Sequence, residues 1–213
     1  MILTHLPEAI TPELVTACDS RGLGRGLAFL DIRPAPAAEP NRCAFNALRY
    51  VENHGGEVVY GWKLLHWPGV LVQFLGHAVI RDEDGLTCIT PDSKGDERVL
   101  FIADSGIAFD KGDPSARLPS AMHPLISDPE VSQFIDIQQQ ILEIKLRYPR
   151  SSGVIRVVGQ DPAQLQSLQA RERRLIGLLL LKTHSLNRPC PCSSGKAFAH
   201  CCQPGMKREI LGQ

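Results

Sequence analysis

The chain has 213 residues, 43% of them hydrophobic, and its 23 basic residues balance its 23 acidic ones. Mean hydropathy is -0.08. This is the composition of a globular protein with a real core, and the charge balance excludes a global field that would draw in nucleic acid or an anionic membrane. The opening MILTHLPEAITPE has neither a basic segment nor a sustained apolar one, so no secretory leader is expected. The longest apolar run, LIGLLLL at 175–181, is too short to cross a bilayer. These features predict a soluble protein of the reducing cytoplasm, where clustered cysteines bind metal more often than they form disulfides.

In chain order, the first predicted element is a short helix from Pro12 to Cys18, with Thr11 as N-cap and Pro12 at the first helical position. The Pro/Ala-rich RPAPAAEP at 33–40 reads as a linker. Asn41 is placed to cap a helix through CAFNALRYVEN, which Gly55-Gly56 would stop. Four apolar, β-branched runs follow: EVVYGWKLLHW, VLVQFLGHAVI, LTCIT and RVLFIAD. Turn signals at Pro68-Gly69, Asp84-Gly85 and Lys94-Gly95 separate them, which predicts an antiparallel meander. Residues 105–124 are rich in Gly, Pro and Ser and read as loop.

Two helices are predicted next, each opened by an Asp-Pro pair: Asp128-Pro129 to about Arg147, and Asp161-Pro162 to about Lys182. In the first, Val131, Phe134, Ile135, Leu142 and Leu146 form an apolar face that Ile137, Ile141 and Ile144 widen. In the second, polar QSLQARERR gives way to LIGLLLL, whose side chains are expected to be buried against the sheet domain or a partner. ARERR at 170–174 reads as a solvated face. The expected organisation is an α+β domain over 1–125 with its core at 41–104, a helical segment over 126–186, and a terminal appendage over 187–213.

That appendage holds four of the seven cysteines. Cys190 and Cys192 are one residue apart, eight residues intervene, and Cys201 and Cys202 are adjacent. The SSG between the pairs is a natural tight turn, so both pairs can reach one tetrahedral point. Four thiolates at about 2.3 Å satisfy zinc, and the binding energy can fold a segment with almost no core. Disulfides within such close pairs would be strained, and the C-x-x-C spacing of a redox centre is absent. His184 and His200 flank the cluster as alternative ligands, and iron would keep the same four sulfurs.

Residues 187–202, NRPCPCSSGKAFAHCC, resemble the SEC-C motif, which is found at the C-terminus of the preprotein translocase motor ATPase and in many other bacterial proteins. The resemblance implies one structural zinc ion held by Cys190, Cys192, Cys201 and Cys202, and a knuckle that docks a protein partner or the ribosome. Ser193 stands where the family usually has glycine. Ala197, Ala199 and His200 stand where it is usually lysine-rich, which argues against docking by charge to an acidic partner or to RNA, and against direct nucleic-acid binding.

Cys43 and His77 form a second constellation. Cys43 would sit in the first turn of its helix, where the helix dipole favours a thiolate, and His77 lies on a predicted strand. The order of cysteine on a helix start, histidine on a strand and acid on the next strand resembles the transglutaminase-like branch of the papain-like cysteine hydrolases. HAVIRDEDGLTCITPD carries that resemblance. It implies an antiparallel sheet with a cysteine-bearing N-terminal helix, Cys43 as nucleophile and His77 as general base. The third position falls on Cys88 instead of a carboxylate, with Asp92 and Asp104 nearby. Two functions follow: a zinc-binding docking protein on a degenerate hydrolase scaffold, or a cysteine-dependent amide hydrolase or acyltransferase.

Overall fold

A computed structural model describes residues 3–113, 116–151 and 154–211. It is an α+β structure whose described residues divide into two compact units. One is Thr4–Trp67 with Val72–His123, and the other is built mainly from residues 124–211 with Pro68–Leu71. No helix among the described residues is long and apolar enough to cross a membrane.

The first unit is organised around an antiparallel sheet. Its strands are β1 (Ala28–Asp31), β2 (Glu57–Trp67), β3 (Leu71–Asp82), β4 (Gly85–Thr87), β5 (Arg98–Ala103) and β6 (Ser120–Pro124). The order is β1-β5-β2-β3-β4, with β6 pairing β3. β2, β3 and β4 follow one another as the expected meander. β5 departs from it by returning across the sheet to lie between β1 and β2, with Trp62 opposite Ile102 and Phe29 opposite Leu100. β6 falls in the stretch read from the sequence as loop, and β1 lies between the first predicted helix and the linker, where no element is predicted. Their residues show no period-2 pattern strong enough to be called, and pairing with β5 and β3 holds them as strands.

Beyond β1 and β4 the two chain ends meet. Ile32 and Cys88 form a parallel bridge, and the Arg33 N–H donates to the Cys88 carbonyl at 2.8 Å. The sheet is thereby nearly closed. Leu64, Phe74, Leu100, Phe101 and Ile102 are fully buried, and because the consecutive Leu100, Phe101 and Ile102 point to alternate faces, β5 is covered on both sides.

Two helices cover this sheet. α1 (Pro12–Asp19) starts at Pro12 as expected, but Thr11 makes no side-chain cap, and its hydroxyl is buried without a partner. α2 (Cys43–His54) is preceded by Arg42, not by the expected cap Asn41, which lies in a left-handed conformation at φ 62°. Gly55 ends α2 as the sequence predicts, at φ 81°. The Ala44 and Ala47 face of α2 packs on Ala78, Ile80 and Ile89.

Buried Asn46 fixes the linker onto this helix. Its side chain accepts from the Glu39 N–H at 3.1 Å, donates to the Glu39 carbonyl at 2.8 Å and reaches the Thr90 hydroxyl at 3.1 Å.

The second unit contains α3 (Pro129–Leu146) and α4 (Asp161–Thr183), which pack together. Asp128 caps α3 as expected, accepting from the Glu130 N–H. α4 differs: Asp161 is its first residue, and its carboxylate takes the Arg147 guanidinium and the Tyr148 hydroxyl instead of capping. The buried stripe of α3 is Val131, Phe134, Ile137, Ile141 and Ile144. Leu146, expected on that face, is 51% exposed, because successive steps of three and four residues carry the stripe away from it. On α4, Leu168, Leu175, Leu179 and Leu180 are buried while Arg171, Arg173 and Arg174 face solvent. Gly177 gives close approach to the C-terminal turns, since a Cβ there would collide with the end of Ile210.

Candidate metal centre and thiol cavity

The four clustered cysteines converge. Chain 189–197 doubles back through a bridge between Pro189 and Ala197, with the Cys190 N–H donating to the Lys196 carbonyl at 2.8 Å. Ser193 and Gly195 turn the chain at φ 63° and 72°. Ser193 thus holds a left-handed conformation that glycine adopts without steric cost, which explains in physical terms why glycine is usual there. Fully buried Phe198 anchors the loop, with the His184 ring edge-on at 5.1 Å.

The Sγ atoms of Cys190, Cys192, Cys201 and Cys202 all lie within 4.8 Å of one another. A regular tetrahedron of sulfurs around zinc has edges of about 3.8 Å. Cys192 and Cys201 are 3.4 Å apart, and Cys201 and Cys202 are 3.9 Å apart. The residues present therefore fit a four-sulfur metal site.

The close approach of the four thiols also couples their acidities. The Ser194 hydroxyl, followed by neighbouring thiols, brings Cys192 down to about 6, while the Cys190 sulfur heads the causes that push Cys202 up to about 12. Four sulfurs this close cannot all be thiolates without a positive charge between them. His184 is not among them, as its Nε2 approaches the Pro189 carbonyl at 3.1 Å. His200 is likewise outside the group.

Cys43 and His77 line a second site, a cavity of about 380 Å³ with Lys63, Gln73, Thr90 and Asp92. The strand period builds its floor, since Lys63 and Leu65 on β2 and Gln73, Leu75 and His77 on β3 are alternate residues. No hydrogen bond joins Cys43 to His77. Burial raises the Cys43 thiol's pKa against the opposing pull of the Ala78 and Ala44 amides, so the expected helix-dipole thiolate gives way to desolvation. Burial likewise depresses His77 to about 3, with the Lys63 charge as second cause.

The ring of His77 is nevertheless oriented. Its Nε2 lies 3.2 Å from the Cys88 sulfur, and the Cys88 thiol donates to the Thr90 carbonyl at 3.6 Å. When the thiol proton goes to the Thr90 carbonyl, the Cys88 sulfur accepts from Nε2–H and Nδ1 keeps a lone pair. Cys88 thus holds the orientation of the ring. It cannot stabilise an imidazolium as a carboxylate would.

Neither nearby acid serves His77. Asp104 accepts from the Trp62 indole at 2.7 Å, and Asp92 pairs with Lys63 at 2.6 Å. Sequence reasoning passed over Lys63 and Asn46, because each acts through a partner 29 or 44 residues away.

Among known families, residues 187–204 match the SEC-C motif. No curated protein and no solved structure matches the chain. The resemblance of 41–104 to papain-like hydrolases therefore gains no support, and the first unit stands as an α+β structure with a nearly closed antiparallel sheet.

Proposed function

We propose that this is a cytoplasmic zinc-binding protein whose C-terminal knuckle docks it on a protein partner or the ribosome. The convergence of four sulfurs within 4.8 Å carries the zinc reading. All seven cysteines are free of disulfides, which agrees with a reducing compartment. Arg188, Lys196, Lys207 and Arg208 are exposed around the knuckle against the single acid Glu209, so some cationic character remains there although Ala197, Ala199 and His200 replace the usual lysines. Elemental analysis should find about one zinc per chain, and the double variant Cys190→Ser, Cys201→Ser should lose it while the near-ultraviolet signal of Trp62 and Trp67 persists. Cosedimentation with ribosomes, or capture of a protein partner, should fall with the metal. Stoichiometric zinc in the double variant would sink the ligand assignment, and undiminished docking would sink the role of the knuckle.

A second reading, cysteine-dependent acyl chemistry, is favoured by the Cys88 sulfur on His77 Nε2. The Cys43 sulfur would attack an acyl carbon, its proton passing to Nδ1 of His77 and then to the departing amine or alcohol. A raised thiol and a depressed imidazole keep that proton on sulfur in the resting site, consistent with a slow enzyme or a degenerate scaffold.

A further inference from the structure

Three groups of the thiol cavity have unused bonding capacity. His77 is only 8% exposed, yet Nδ1 has no partner among the described residues. The Lys63 side chain is 13% exposed and meets one acceptor, Asp92 Oδ1. Two of its three N–H donors are therefore free in the cavity. Cys43 supplies a thiol to the same cavity from the start of α2. The two donors that Asp92 does not take are available to a ligand oxygen in the cavity, in place of water.

The ion pair also has a direction. Both Asp92 oxygens are engaged, Oδ1 by Lys63 and Oδ2 by the Lys94 N–H at 2.7 Å. The Lys63 charge acts on Cys43, His77 and Cys88, and at His77 and Cys88 it outweighs that of Asp92. The positive end of the pair thus faces the thiol.

We infer that this cavity receives a small carboxylate-bearing compound, with its carboxylate oxygen on the Lys63 ammonium and its reactive carbon beside the Cys43 thiol. The volume of about 380 Å³ lies at the small end of ligand sites, which suits a metabolite-sized molecule and not a polypeptide. A donor group on the ligand, next to the carboxylate, would meet the lone pair of His77 Nδ1. The inference deepens the thiol reading above and rests on it.

The test compares two alkylating agents of nearly equal size, iodoacetate and neutral iodoacetamide, on the full zinc-loaded chain. In each, the Cys43 sulfur forms a bond to the methylene carbon, iodide leaves, and the thiol proton is released to His77 or water. Mass spectrometry of the Cys43 peptide gives the two rates. The iodoacetate-to-iodoacetamide ratio should exceed that of a free cysteine peptide by about tenfold, the size of one charged hydrogen bond. The double variant Lys63→Met, Asp92→Asn removes the charge without leaving an unpaired ion, and it should return the ratio to the peptide value. A ratio equal to that of the peptide in the wild-type chain would overturn the carboxylate assignment and leave the thiol reading standing. Failure of both reagents to label Cys43 would overturn both.

Discussion

His77 enters a cluster of apolar side chains as a neutral ring, because its proton and its partner Cys88 satisfy one nitrogen while burial forbids a second proton. The consequence for stability has a definite sign. The unfolded ring protonates near 6.5, whereas the folded ring resists down to about 3. Between those values the unfolded chain binds more protons, so stability falls as pH falls through that window, by up to roughly 1.4 kcal/mol per pH unit. His66, held to about 4 chiefly by burial, adds a slope of the same sign. In a His77→Asn variant the free energy of unfolding, from urea titrations at about pH 6 and 4, should depend on pH less steeply by roughly 1 kcal/mol per unit. An unchanged slope would mean that the folded ring carries a charge. That Cys88 stands near His77 was legible in the order of residues, but its contact with the ring was not. Lys63 was invisible as a site residue, since nothing local marks one strand lysine as paired with an aspartate beyond the next two strands.

Asn46 shows how an element is tied down. One side chain joins α2 to the linker at Glu39 and to Thr90 beyond β4, with all its polar atoms used. Replacing it by alanine leaves the buried Thr90 hydroxyl short of a partner and releases the backbone of exposed Glu39 from α2. An Asn46→Ala variant should lose about 2–4 kcal/mol in urea denaturation, and a loss under about 0.5 kcal/mol would show that water or relaxation replaces those bonds. The elements legible in the sequence were those with local causes, such as Asp128-Pro129 opening α3 and Gly55 closing α2. Asn41 misled because its left-handed backbone turns it out of the capping position. β1, β6 and the return of β5 to β2 depend on long-range pairing, which local pattern does not encode.

For the whole molecule, two sites of opposite character are carried by one neutral chain. The thiol cavity is built from three strands, a helix start and the loop after β4, and it sets the Cys43 thiol and the His77 ring beside the charged side chains of Lys63, Asp92, Lys94 and Asp96. The knuckle is built from residues close together in sequence, so its spacing alone foretold the convergence of its sulfurs. Its core is little more than Phe198, too small to order the loop by hydrophobic burial, and in the proposed reading metal binding supplies the rest. X-ray absorption at the zinc edge of the full chain measures that coordination directly. One shell of four sulfurs at about 2.3 Å is expected. Nitrogen or oxygen neighbours in that shell, or a chain that binds no zinc, would contradict the four-cysteine site.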